Sequence, residues 1–294
     1  MAEKTFFKTY VKYPLIGAGV SVVWLIFKLL PLRFASALGG FLGSLAYYFA
    51  PTRNQIALKN MAFAYPDKPL GWHKKLLKKM WRHWGQFFAE MPHSKEWVNG
   101  AEVTGEKYLE NMKNDGKGGF VCSAHLGNWE FASSYVFQHY FPLHPVYRPA
   151  NNPWLDKLMF KRRAGVLIPK GSAGVRIMLD LLKSGEHISI LCDQRLREGI
   201  SAPLFGRMAQ TPAAMVTLAK KMNLPILMGK AIRMPDGHYR MDVEPLKMSD
   251  NPDFDTAVRE TVERMNRVLE RWIYETPEQW LWIHRRFDKK EYKN

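Results

Sequence analysis

From Gly119 onward the chain alternates short apolar runs with helix-length stretches, and this rhythm constrains the fold more than any other feature. The runs are Gly119 to Ser123, His144 to Tyr147, Val166 to Ile168 and Ile188 to Cys192. Helical patterns continue through Tyr140, start again at Pro153 and cover Ser172 to Lys183. Such runs fit parallel strands joined by crossover helices that cover the sheet. Thr211 followed by Pro212 reads as the cap and first residue of a further helix. Pro225 to Arg233 and Tyr239 to Leu246 flank Pro235-Asp236-Gly237, a turn signal that predicts an antiparallel pair. The expected architecture is therefore α/β: a mixed, largely parallel sheet flanked by helices. Phe254, Val258, Val262, Met265, Leu269 and Ile273 mark one face of a long helix. A Trp-rich segment, Trp280 to Phe287, follows it.

The amino-terminal end has a different character. Pro14 to Phe27 is uncharged, and after Lys28 and Arg33 a second uncharged stretch runs from Phe34 to Thr52. A membrane-spanning helix needs about 20 residues, so the two stretches suit either spanning or a helical hairpin in one leaflet. Lys4, Lys8 and Lys12 precede them, and the apolar character continues past any cleavage site. That pattern favours a retained, membrane-associated segment with a cytoplasmic amino terminus over a signal peptide. Between Leu70 and Met91, Trp72, Leu76, Leu77, Met80, Trp81, Trp84, Phe87 and Phe88 form one helical arc, with Lys74, Lys75, Lys78, Lys79 and Arg82 opposite. Such a helix packs on a core and also suits anionic lipid. Without repeats or low-complexity linkers, the simplest partition is an anchor or hairpin over 1–52 and a catalytic domain over 53–294.

Composition narrows the function. With 294 residues, 47% hydrophobic and 24% charged, the chain can build a core, and disorder is excluded. A net charge of +16 calls for an anionic partner. The basic residues alternate with Trp and Leu at helical spacing and no nucleic-acid motif appears, so a membrane surface, acidic protein or phosphorylated substrate is expected rather than nucleic acid. Cys122 and Cys192 each close an apolar run and read as packed thiols. No Cys/His spacing suits zinc and no loop suits a nucleotide, so no metal or cofactor is expected.

The sharpest chemical feature is His125-Leu126-Gly127-Asn128-Trp129-Glu130, where an apolar strand gives way to a helix. Histidine can take a proton from a hydroxyl near neutral pH, and a carboxylate on its other nitrogen fixes the tautomer. Glu130 is the expected partner. On an ideal helix the two side chains would lie about 140° apart, so His125 must sit in the turn before the helix begins. Asp193 ends its strand beside Gln194 and Arg195 and reads as an acceptor-positioning carboxylate or a structural cap. Cys122 and Ser123 invite a covalent acyl-enzyme, but neither has an evident base of its own. The carboxy-terminal segment with Arg285 and Arg286 reads as packing plus solvated charge.

Spaced motifs now add a resemblance. Arg53, Asn60 and Pro66 are followed by His125 with Glu130, Tyr147-Arg148-Pro149, Asn151-Asn152-Pro153 and Arg162-Arg163. Asp193-Gln194, Phe205-Gly206, Thr211 and Trp280-Leu281-Trp282-Ile283-His284-Arg285-Arg286 complete the order. Over Arg53 to Phe287 the chain resembles the bacterial lipid A biosynthesis lauroyl/myristoyl acyltransferases, themselves similar to the wider lysophospholipid acyltransferase superfamily. Leu204 stands where many relatives have a second Phe. The resemblance implies transfer from an acyl thioester, on acyl carrier protein or CoA, to a hydroxyl of an anionic glycolipid acceptor. It implies His125 as base, Glu130 as its holder, and Arg148, Asp193 and Arg195 as substrate-binding or oxyanion candidates. It also implies a bacterial inner-membrane location, with the site on the cytoplasmic side. Two alternatives remain at this point: another glycolipid acylated from acyl-CoA, or a non-catalytic protein that binds anionic membranes.

Overall fold

The structure, a computed structural model, describes residues 8–94, 101–160 and 165–292. Lys4 and the Arg162-Arg163 pair lie outside the described residues. A seven-stranded sheet organises the body in the order β1-β9-β8-β2-β5-β3-β4. Its strands are β1 (Glu102–Thr104), β2 (Gly119–Ser123), β3 (Leu143–Tyr147), β4 (Ile168–Pro169), β5 (His187–Leu191), β8 (Ile226–Arg233) and β9 (Tyr239–Pro245). Neighbours run parallel except β8 and β9, which are antiparallel, so the sheet is mixed and largely parallel as expected. The central strands β2 and β8 are buried almost throughout, which is why their sequences are near-continuous apolar runs. Tyr239, Met241 and Val243 of β9 are buried while Arg240, Asp242 and Glu244 alternate outward, the signature of a strand with one wetted face.

Crossover helices α5 (Glu106–Asn114), α6 (Trp129–His139), α7 (Pro153–Phe160), α8 (Ser172–Lys183) and α9 (Ala214–Met222) connect these strands, and α10 (Phe254–Glu275) closes the body. Asp253 caps α10 by accepting from the Thr256 amide at 2.8 Å, and Val258, Val262, Met265, Leu269 and Ile273 form its buried face.

One expectation about this region is corrected. Thr211 does not cap a helix; it ends β7 (Arg207–Thr211), which forms a two-stranded antiparallel ribbon with β6 (Ile200–Leu204). Its hydroxyl is claimed by the Ala209 carbonyl, by Asn266 on α10 and by the Arg286 guanidinium, and α9 starts three residues later. Arg286 is likewise no solvated charge. It is 1% exposed and also donates to the Gln210 carbonyl at 3.0 Å, so it ties the carboxy-terminal segment to the ribbon.

The amino-terminal layer comprises α1 (Tyr13–Leu29), α2 (Leu32–Phe49), α3 (Pro51–Ala64) and α4 (Leu70–Glu90). Leu30 is extended and Pro31 precedes α2, which ends the first helix between the two uncharged stretches. α2 lies against α4 where both lack side chains: a Cβ on Gly85 would sit 2.1 Å from the Gly39 carbonyl oxygen and 2.7 Å from Gly43 Cα. α1 leans on α7, with Gly17 against Trp154 and Asn152 Nδ2 donating to the Tyr13 carbonyl at 3.1 Å. Leu15, Val22, Leu25 and Leu29 of α1, with Phe34 and Phe41 of α2, point outward and exposed. Thr9–Leu29 is long and apolar enough to cross a membrane, with a mean hydropathy of 1.5.

Candidate active site

The site lies at the carboxyl edge of the sheet, where the parallel strands deliver their ends to one place. β2 and β5 are neighbours in the register Ser123↔Leu191, so the residues two positions beyond, His125 and Asp193, emerge side by side. Asp193 meets His125 twice: Oδ1 lies 2.8 Å from His125 Nδ1, and Oδ2 accepts from the His125 backbone amide at 3.0 Å. Trp280 completes the arrangement by donating its indole N–H to Asp193 Oδ2 at 2.9 Å. Burial alone would raise the Asp193 pKa, but the His125 charge and hydrogen bonds and the Trp280 donor hold it down at about 2. Asp193 is therefore a carboxylate at neutral pH, which puts the single proton of neutral His125 on Nδ1 and leaves the lone pair on Nε2.

His125 sits in the turn before α6, as the spacing required. Asn128 caps that helix through Oδ1 to the Phe131 amide at 3.0 Å. The turn threads between two other segments. Gly127 donates to Gln279 O and Asn128 to Ala231 O, while Leu281 N donates back to His125 O at 3.0 Å. Gly127 has a φ of 59°, and a Cβ there would lie 1.9 Å from the Ala231 carbonyl oxygen, so the position needs glycine for both conformation and space.

The carboxylate on Nδ1 is thus Asp193 rather than Glu130. Being at the second position of α6, Glu130 points its carboxylate to the indole of Trp129, which donates at 3.0 Å. Trp129 in turn meets the His125 ring edge-on at 5.0 Å, so Glu130 reaches His125 through that ring. The other candidates are spread along the same edge. Arg148 is exposed one residue past β3, and Arg195 is paired with Asp288 at 2.8 Å. Cys122 is wholly buried beside Cys192 and burial pushes its thiol pKa up, so it is not an activated nucleophile.

Two residues of the site were not anticipated as such. Trp280 binds Asp193, and His284 stands with its ring centroid 5.9 Å from that of His125. Burial first, then the charges of His125, Arg53 and Lys170, lower the His284 pKa to about 4 against the opposing pull of Asp193. Gln194 lies between the imidazoles, its Nε2 3.3 Å from His125 Nε2 and 3.4 Å from His284 Nε2.

Beside this cluster a cavity of about 320 Å³ runs under α6. Ser123, Trp129 and Glu130 line it near His125, and Val136, Leu143 and Ile190 continue it between helix and sheet. Trp24 of α1 and Met91 also form part of its wall, so the amino-terminal layer contributes directly.

A tautomer-fixed imidazole at a sheet edge, next to an apolar slot, is able to take a proton from a hydroxyl close to where an apolar chain can lie. The model of the family described as bacterial lipid A biosynthesis acyltransferase matches residues 4–289, and the chain belongs to that family. Among its relatives is the lipid A biosynthesis lauroyltransferase of Escherichia coli (strain K12), 28% identical over 289 residues that cover 94% of this chain and 92% of the relative. The palmitoleoyltransferase of the same organism matches with the same identity and coverage. A lipid A biosynthesis acyltransferase of Haemophilus influenzae is 22% identical over 295 residues, covering 96% of this chain and 90% of its own. As a member of this family the chain is an O-acyltransferase of lipid A biosynthesis.

Proposed function

We propose that this enzyme moves a fatty acyl chain from acyl carrier protein to a hydroxyl of a phosphorylated lipid A precursor, with His125 as general base. The observation that carries the reading is the pairing of His125 Nδ1 with Asp193, which leaves the lone pair on Nε2, in a site whose residues Ser123, Trp129 and Glu130 line a largely apolar cavity. Nε2 takes the acceptor's hydroxyl proton as its oxygen bonds to the thioester carbonyl carbon. The tetrahedral oxyanion then collapses, the carbon–sulfur bond breaks, and the departing thiolate takes the proton from the imidazolium. The products are an ester and a free thiol. Asp193 stabilises the imidazolium in between, and Glu130 holds the ring indirectly through Trp129. The cavity accepts the acyl chain, while Arg148 supplies a guanidinium for an acceptor phosphate.

The exposed apolar faces of α1 and α2 suit an enzyme seated on the inner membrane with its site toward the cytoplasmic leaflet. A net charge of +16 suits both an acidic carrier and a phosphorylated acceptor. The test is to supply acyl carrier protein and CoA thioesters with a panel of lipid acceptors, following products by mass spectrometry. Transfer to a lipid A precursor that disappears in His125→Ala is the expected result. Transfer only to another glycolipid, or only from CoA, overturns the proposed substrates.

A further inference from the structure

Several donors of the site already have partners. The Trp129 indole N–H is given to Glu130, the Trp280 indole N–H to Asp193, and Arg195 is paired with Asp288. The Gln194 carboxamide remains, half-buried, with its nitrogen within hydrogen-bond distance of two imidazole Nε2 atoms. Its orientation follows from the network. An amide oxygen in that place would require a proton on both Nε2 atoms. His125 must already give its Nδ1 proton to Asp193, so it would become a cation facing His284, with Arg53 and Lys170 adding positive charge. The NH2 group satisfies both lone pairs without any such charge.

Resting on the reading of His125 as the base, we infer that Gln194 is a catalytic residue and His284 its positioning partner: the carboxamide caps Nε2 of His125 until the acceptor hydroxyl displaces it, and the freed N–H then donates to the thioester oxyanion. The displaced hydrogen is already beside the atom from which attack is directed, where charge develops on the carbonyl oxygen. His284, unprotonated at neutral pH with its pKa near 4, accepts the second amide hydrogen and fixes the plane of the group. This assignment explains why a second, neutral histidine stands in the site without contacting Asp193 by any hydrogen bond among the described residues.

The sharpest variant is Gln194→Glu, which keeps the shape but replaces a donor to both imidazoles by an anionic acceptor. Its carboxylate stabilises the imidazolium, so the acid limb of the kcat/KM profile moves up by about one pH unit or more. Loss of an oxyanion donor lowers kcat about 10²–10³-fold, with KM changed only a few-fold. His284→Ala lowers kcat by a smaller factor, and His284→Gln, which keeps an acceptor near the Nε2 position, restores most of it. The imidazole titration is also read directly, by nitrogen-15 NMR of histidine-labelled protein in micelles, with His125→Gln assigning the resonance. A raised His125 pKa together with the loss in kcat supports the inference; an unmoved titration, or a kcat within about threefold of wild type, overturns it. If the wild-type protein acylates no acceptor, the reading of its function fails and the oxyanion role falls with it; the titration then decides only whether Gln194 caps Nε2 of His125.

Discussion

The carboxyl edge of the sheet and the amino-terminal helices meet across α4, yet they are held by different physics. At the edge, directional polar contacts dominate: one carboxylate collects three donors, one amide serves two imidazoles, and a glycine turn is pinned by main-chain bonds on both sides. In the amino-terminal layer contact is made by absence of side chains, with Gly39 and Gly43 against Gly85, while large apolar residues are left facing outward. A few ångströms of error would disable the first region and leave it folded. The same error in the second removes packing without moving any of the hydrogen-bonded groups of the site. α4 touches both, since Gly85 receives α2 while the rings of Trp84 and Phe87 pack on Trp129 with centroids 5.3 and 4.8 Å apart.

The largest effect expected from separating the two regions is on catalysis. In Asp193→Asn the His125 amide and the Trp280 indole both still need an acceptor, so the oxygen turns toward them and the NH2 faces His125 Nδ1. That forces the proton onto Nε2 and removes the base, with a loss in kcat of about 10³–10⁴-fold. The melting temperature should change little by comparison. If Asp193→Asn keeps a tenth or more of the activity, Asp193 is structural and the role returns to Glu130.

Gly85→Val is the converse. Its side chain meets Gly39 and Gly43 backbone with no flexible end to move aside, at a cost of roughly 3 kcal/mol, or about 5–10 °C in melting temperature. Transfer per folded molecule should stay within about twofold of wild type; a loss of kcat as large as that of Asp193→Asn would mean the two regions are not separable.

Acid stability tests the shared helix. Burial lowers the pKa of His83 to about 4, as it does for His284. As pH falls below about 6.5 the unfolded chain takes up protons that the folded protein refuses until about pH 4. Stability therefore declines across that window, by roughly 3 kcal/mol for each histidine, and the decline levels off below it. Asp193 acts lower down, because its stabilising contribution is full above its ordinary pKa near 3.8 and is lost as pH falls toward 2. His83→Gln should remove its share of the decline between pH 6.5 and 4, leaving those of His284 and of His187, whose pKa burial also lowers, measured as melting temperature against pH. An unchanged slope would place the acid sensitivity elsewhere.

How much of this was legible in the sequence follows the same division. The strand-helix alternation, the β8–β9 turn and the long α10 face depend on local periodicity, and they stand in the structure within a residue or two. His125 was legible because the glycine turn and the apolar run beside it are local too. The Asp193 partnership was not, because it exists only through the β2–β5 register, which brings together residues 68 positions apart. Glu130 looked like the partner because it was the nearest carboxylate in sequence. Trp280 and His284 were hidden for the same reason, and Arg286 was misread because a charge run gives no sign that its guanidinium will be enclosed by a strand ribbon. Thr211-Pro212 carried a valid helix signal that tertiary contacts outbid.

The smallest expected effect is also the one that separates the two carboxylates most finely. Glu130 accepts from the Trp129 indole, whose ring meets His125, and it borders the cavity that the amino-terminal layer helps to wall. Glu130→Gln retains an acceptor for the indole and removes the negative charge; Glu130→Ala removes both. If Glu130 works by holding Trp129, alanine should cost about tenfold more in kcat than glutamine, and both should cost less than Asp193→Asn. Equal losses in the two variants would assign the role to the charge itself, acting on the reacting groups or on a cationic partner. The ratio of the two rate constants is thus more informative than either loss alone, because it cancels the loss of charge that both substitutions share.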